Sequence, residues 1–160
     1  MHRRIAELAT AVTGDFRDKN PVLLGTLKGS FIFLAQLVLQ LDFDLDIDFI
    51  SARSYDNLGT STGKVDLFKN LSIDIKGRHL LVVEDIIDTG FTLRQMLQDF
   101  ELVRPESVSV IALLNKKSQR KIEVPIKYVG FELEDQFVVG FGMDYAEKYR
   151  NLPYIAVLKH

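Results

Sequence analysis

The chain of 160 residues contains no cysteine, which removes disulfides and thiolate metal sites from consideration and is compatible with a reducing, cytoplasmic setting. It has no excess of one charge: 20 Lys and Arg face 22 Asp and Glu, for a net charge of −2. No broad basic field is available to hold nucleic acid or an anionic membrane. It also lacks a long apolar run. The longest, Phe31 to Leu41, is interrupted by Gln36 and Gln40 and is too short to cross a bilayer. Met1 to Thr10 carries Arg3, Arg4 and Glu7 where a signal peptide would need an apolar core. No internal repeat, linker or low-complexity tract divides the sequence, so residues 1–160 are expected to form one domain of a soluble protein.

What is present alternates between strand and helix patterns. Ile5, Leu8, Ala9 and Val12 recur at helical spacing, and Val22 to Leu27 reads as a buried strand behind Pro21. Phe31 to Leu41 reads as a helix packed against a sheet, capped near Gly29-Ser30. Asp42 to Phe49 alternates strictly, predicting a half-buried strand with Asp42, Asp44, Asp46 and Asp48 on a solvated face. No histidine accompanies these carboxylates, so a cation site is not expected there. Leu80 to Val83 and Val108 to Leu114 are continuous apolar runs typical of strands covered on both faces. Between them Leu93, Met96, Leu97 and Phe100 mark an amphipathic helix that ends before Pro105. Shorter strands are expected within 126–131, 137–141 and 154–158. The order predicts an α/β fold with a mostly parallel central sheet.

The chemistry concentrates where the strand ending at Val83 meets the next helix: Glu84-Asp85-Ile86-Ile87-Asp88-Thr89-Gly90-Phe91-Thr92. In open parallel sheets, ligands bind beyond the carboxyl ends of strands. Backbone N–H groups of 88–92 and the Thr89 and Thr92 hydroxyls can donate to a phosphate, with Gly90 allowing a tight turn. A pure phosphate site should exclude carboxylates, yet three are here. Glu84 and Asp85 suit the hydroxyls of a sugar diol, and Asp88 suits a general base. Together they describe a phosphorylated ribose undergoing reaction. Gly59-Thr60-Ser61-Thr62-Gly63-Lys64 looks like a nucleotide-binding P-loop but has three residues between its glycines instead of four. Val65 also stands where that loop needs Ser or Thr, so it is not one.

The stretch from Val82 to Thr92 resembles the phosphoribosyl pyrophosphate signature of type I phosphoribosyltransferases, in the form used by the hypoxanthine-guanine branch. The resemblance runs from about Val22 to the C-terminus. It implies a parallel sheet flanked by helices, a small hood subdomain and a mobile lid. It also implies transfer of the phosphoribosyl group to N9 of hypoxanthine or guanine, with Mg2+ as cofactor and a homodimer or homotetramer as the assembly. By the same resemblance, Leu27-Lys28-Gly29 is a pyrophosphate loop with a cis peptide before Lys28, and Ser54-Tyr55 opens the lid. Lys116 reads the 6-oxo group, Phe137 stacks on the purine, and the Val138 backbone reads its edge. Spacing alone does not separate Lys116 from Lys117; the family pattern selects Lys116. Asp144 belongs to this pocket and, with Glu84 and Asp85, forms the magnesium set, while Arg150 joins Lys28 and Gly29 at the pyrophosphate. Phe91 departs from the lysine that many members carry there.

Two other readings remain open. A non-catalytic regulator that kept the pocket is one, although an RNA-binding version would call for a basic surface. A phosphoribosyltransferase for another base is the second. Lys116, which has donors only, disfavours the 6-amino group of adenine, while xanthine stays possible. Assaying each base separates them.

Overall fold

The computed structural model describes residues 1–51 and 71–158. Helix α1 (His2–Phe16) turns Ile5, Leu8, Ala9, Val12 and Phe16 onto one buried stripe. It is latched to the far edge of the sheet by Arg4, which donates from Nε to Gly130 O (2.8 Å) and from Nη2 to Val129 O (2.8 Å). Strand β1 (Val22–Leu27), helix α2 (Phe31–Val38), β2 (Asp46–Ser51), β3 (His79–Ile87), α3 (Phe91–Val103), β4 (Ser107–Asn115) and β5 (Tyr128–Glu132) follow. The strands form a five-stranded sheet in the order β2-β1-β3-β4-β5, with every neighbouring pair parallel.

Alternation along the central strands builds two cores. Leu23, Leu81, Val83, Ile111 and Leu113 pack with α1 and α2 on one face. On the opposite face Val22, Leu24, Leu80, Val82 and Val110 pack with Met96 and Phe100 of α3. The strand order reverses direction between β1 and β3, the switch point at which a crevice opens above a parallel sheet. A two-stranded antiparallel ribbon of β6 (Val138–Val139) and β7 (Ala156–Val157) completes the chain.

Several boundaries differ from the sequence expectation. Helix α2 stops at Val38, and the next turns are tighter, with Gln40 N donating to Leu37 O and Leu41 N to Val38 O. Stopping there lets Leu41, Phe43 and Leu45 turn back onto the α1-side core, so the strand begins only at Asp46. Nor is the acidic face simply solvated. Asp48 is 8% exposed. Its carboxylate accepts from the N–H groups of Phe49, Ser72 and Ile73 and from the Ser72 hydroxyl, which offsets the cost of burying it. Asp46 instead pairs with Arg78 at 2.7 Å. Within 137–141 and 154–158 the strands are only two residues long, Val138–Val139 and Ala156–Val157. Positive φ at Phe141, Ala146, Glu147 and Tyr149 winds the intervening chain too tightly for a longer ribbon. Among the described residues, no helix is long and apolar enough to cross a membrane.

Candidate active site

Strand β3 runs through the acids and ends at Ile87, beyond the expected end at Val83. Successive strand residues face opposite sides, so Glu84 and Asp85 diverge. Glu84 is buried against β1, with Thr26 Oγ1 2.5 Å from its Oε2 and 3.1 Å from Val83 O. The Thr26 hydroxyl carries one proton, which it can donate to Glu84 Oε2 or to Val83 O, both within reach. Asp85 lies against the other loop of the switch point. A side chain at Gly29 would put its Cβ 1.6 Å from Asp85 Oδ2, so only glycine admits this approach. The peptide joining Leu27 to Lys28 is cis, as the resemblance implied.

Burial pushes the Glu84 carboxyl up to about 8; the Asp85 charge adds to the rise and the Thr26 hydroxyl opposes it. Burial also raises Asp85, with Asp144 adding, while backbone N–H groups and Arg150 oppose. For Glu84 the sign of the pH effect follows directly. The native, ligand-free protein keeps a proton that the unfolded chain releases near 4.5. This group's contribution to stability is therefore greatest below that value and is lost as pH rises toward 8. Each unit of difference is worth about 1.4 kcal/mol. In melts with chelator present, Glu84→Gln is expected to raise Tm at pH 8 by about 4–10 °C and to change it little at pH 5. Equal shifts at both pH values would assign the effect to packing instead.

After Ile87 the chain turns through Asp88, Thr89 and Gly90 into α3. Gly90 is left-handed, with φ of 89°, and a Cβ there would lie 2.4 Å from Ile122 O. The turn rests on residues 120–122. Lys121 N and Ile122 N donate to Thr89 O, and Arg120 donates to Asp88 O (2.9 Å), Ile87 O (3.3 Å) and Asn115 Oδ1 (2.6 Å). Asp88 is thereby held by its backbone while its side chain stays exposed. One cavity is lined by Glu84, Asp85, Asp88, Thr89, Gly90 and Thr92, the expected phosphoribosyl residues. Phe91 is outside this lining and is 56% exposed.

A second cavity shares Asp85, Ile86 and Asp88 with the first and adds Lys116, Gln136, Phe137, Val138, Met143 and Asp144. Phe137 stands edge-on to Tyr145, with ring centroids 5.8 Å apart. Lys116 N donates to Ile87 O, which ties the start of this wall to the end of β3. Lys117 turns away to Glu132, at 3.1 Å, with its side chain 72% exposed.

Between the cis loop and the final turns lies a cluster of charge. Glu147 Oε2 sits 3.0 Å from Lys28 Nζ and 3.2 Å from Arg150 Nη2, and Arg150 also reaches Asp144 Oδ1 at 2.8 Å. Lys28, then Arg150, hold the Glu147 carboxyl down to about 2. Lys28, Gly29, Asp144 and Arg150 are thus gathered on the Asp85 side of the crevice. Among the described residues, no three carboxylates converge closely enough to hold a metal by themselves. Ser54 and Tyr55 lie outside the described residues. Thr26, Arg120, Met143 and Glu147 were not singled out from sequence. No spacing rule points to them individually, although Met143 lies within the 137–145 stretch of the base pocket and Thr26 and Glu147 adjoin predicted residues.

Comparison with known proteins agrees with this architecture. The model of the phosphoribosyl transferase domain matches residues 1–146. The chain is 42% identical over 159 residues to hypoxanthine-guanine phosphoribosyltransferase of Bacillus subtilis, covering 99% of this chain and 88% of that protein. It is 46% identical over 158 residues to hypoxanthine phosphoribosyltransferase of Haemophilus influenzae, covering 97% and 88%. A crystal structure of a Bacillus anthracis hypoxanthine-guanine phosphoribosyltransferase superposes with a TM-score of 0.88 at 40% identity, covering 99% of this chain and 92% of that one. With a matched domain model spanning most of its length and full-length relatives above 40% identity, the chain belongs to the phosphoribosyltransferase family.

Proposed function

We propose that the protein transfers the 5-phosphoribosyl group of phosphoribosyl pyrophosphate to N9 of hypoxanthine or guanine, giving IMP or GMP and pyrophosphate. The observation that carries this reading is the sharing of Asp85, Ile86 and Asp88 between two cavities. One has the backbone and hydroxyl donors of a phosphate cradle; the other has an aromatic wall and a lysine suited to a purine carbonyl. A sugar phosphate in the first and a base in the second would meet over Asp88.

In this mechanism Thr89, Gly90 and Thr92 hold the 5′-phosphate through backbone and hydroxyl donors, turning remote binding energy into positioning. Asp85 orients the ribose and sets negative charge beneath the ring as it becomes cationic, while Glu84, kept neutral by burial, borders the same cavity. Asp88 accepts the N7 proton of the base while N9 attacks the anomeric carbon. Lys28, Gly29 and Arg150 receive the departing pyrophosphate, displacing Glu147. Phe137 stacks on the base, the Val138 backbone meets its edge, and Lys116 donates to the 6-oxo oxygen. Ser54 and Tyr55 would open a lid that excludes water.

The donor set fits magnesium. Its carboxylates are few and all oxygen, and Asp144 pushes up the carboxyl of Asp85, a repulsion that a divalent cation would relieve. Asp85 and Asp144 would hold the ion, which when bound supplies positive charge against that of the leaving pyrophosphate. Glu84, expected from the resemblance to join them, is turned to Thr26 instead, and no three carboxylates converge among the described residues. A single domain over 1–160 is part of the same reading. So is a homodimer or homotetramer, since Phe31, Ile47 and Phe49 expose apolar area that such an assembly would cover. A net charge of −2 supports small-molecule substrates with no nucleic-acid partner, and a cytoplasmic setting is compatible with the absence of cysteine.

A spectrophotometric assay with phosphoribosyl pyrophosphate, magnesium and each base in turn tests the proposal. Turnover is expected with hypoxanthine and guanine, and little or none with adenine or orotate. Absence of turnover with every base would favour a non-catalytic regulator.

A further inference from the structure

Lys116 is the most enclosed cation of the second cavity, with its side chain 12% exposed. Its ammonium does not stand alone. Asp135 Oδ1 lies 2.9 Å from Lys116 Nζ, and Asp135 Oδ2 accepts from Gln119 Nε2 at 2.8 Å. Asp135 is absent from the lining of the cavity, so it backs the lysine from outside. It sits on the turn that leads directly into Phe137, where Gln136 N donates to Glu134 O at 2.7 Å. Lys116 and Gln119 belong to the turn that follows β4. One carboxylate therefore joins the loop bearing the lysine to the loop bearing the aromatic wall.

We infer that Asp135 is the positioning residue that sets base selectivity, by holding the Lys116 ammonium at the cavity wall. This rests on the assignment of Lys116 to the 6-oxo group given above. The chemistry is simple. An ammonium has three N–H donors and no acceptor, so one bond to Asp135 fixes the nitrogen and leaves two donors for a ligand. A lysine stem has about 2 kcal/mol of rotamer entropy to lose. Restraining it before the base arrives means that the base does not bear the full cost of ordering it. The carboxylate also supplies a counter-charge for a cation largely removed from water, so it need not be desolvated by the purine alone. Side-chain exposure of 63% leaves Asp135 hydrated on its outer side, and its replacement opens no cavity in the core. Consistent with this pairing, the hydrogen bond from Lys116 holds the Asp135 carboxyl below the usual carboxylate range.

The test compares wild type, Asp135→Asn, Asp135→Glu, Lys116→Ala and Glu134→Gln in steady-state kinetics with hypoxanthine, guanine and adenine. Asp135→Asn is expected to raise KM for hypoxanthine and guanine by about 5–20-fold, part of the worth of a charged hydrogen bond, because asparagine keeps a neutral acceptor in the same place. Its KM for phosphoribosyl pyrophosphate and its kcat should stay within about two-fold, and its preference for hypoxanthine over adenine should shrink in step. A general loss of structure would move all three parameters together. Asp135→Glu, which keeps the charge, should recover part of the lost affinity. Glu134→Gln removes a charge from the same turn and should match wild type. If it instead raises KM as Asp135→Asn does, net charge is responsible and the inference falls. Unchanged base KM in Asp135→Asn beside an impaired Lys116→Ala overturns the inference alone. A Lys116→Ala enzyme with unaltered base preference overturns the assignment of Lys116, and this inference with it.

Discussion

Asp88→Asn is expected to lower kcat by about 10²–10⁴, the usual loss when a general base is removed, while KM for phosphoribosyl pyrophosphate stays close to that of wild type. The geometry explains why the two parameters should separate. Asp88 borders both cavities and its side chain is exposed, so its carboxylate is free to take a proton from a base in the second. The backbone that carries it is fixed from behind by Arg120, through the carbonyls of Ile87 and Asp88. Asparagine has the same shape and preserves that backbone, and the donors of 89–92 that hold the phosphate are untouched. Only the capacity to accept a proton is lost. A single-turnover measurement checks this most directly, because it isolates the chemical step from product release. A rate within a few-fold of wild type would move the proton to another acceptor.

Lys116→Ala should reduce kcat/KM for hypoxanthine and guanine by about 10–100-fold, as expected for a charged hydrogen bond of about 1.5–3 kcal/mol, and leave adenine nearly as poor a substrate as before. The hypoxanthine-to-adenine ratio then collapses. Discrimination of this kind arises because a donor-only group leaves a 6-amino base unpaired. The measurement is the ratio of the two kcat/KM values in wild type and variant. Lys117→Ala is the natural control, since its ammonium is engaged with Glu132 and mostly solvated. If Lys117→Ala changed the ratio and Lys116→Ala did not, the role would pass to Lys117.

The junction of β3 and α3 was legible in the sequence because its signals are local: a buried apolar run, an acid-rich turn with glycine, then a 3.6-residue apolar period. The end of β3 was not. Glu84 and Asp85 read as loop residues because buried acids are rare in strands, and the Thr26 hydroxyl that accommodates Glu84 lies 58 residues away. Asp48 shows the same difficulty. Strict alternation put it in solvent, yet donors from Ser72 and Ile73 make a buried position tolerable, and no periodicity reports them. The cluster of Lys28, Asp144 and Arg150 was available only through family resemblance, and Glu147, 119 residues from Lys28 along the chain, not at all. Local chemistry was readable where the chain makes it by itself. It was hidden where two distant segments make it together.

Glu147 gives this end of the cleft an unusual character. Its carboxylate and that of Asp144 already act as resident counter-ions to Lys28 and Arg150. From more than a Debye length away, about 10 Å at 0.1 M salt, an incoming anion meets a nearly balanced quartet instead of a basic hole. Capture of a polyanion here is therefore an exchange of partners at contact range, with little attraction exerted across the bulk solvent.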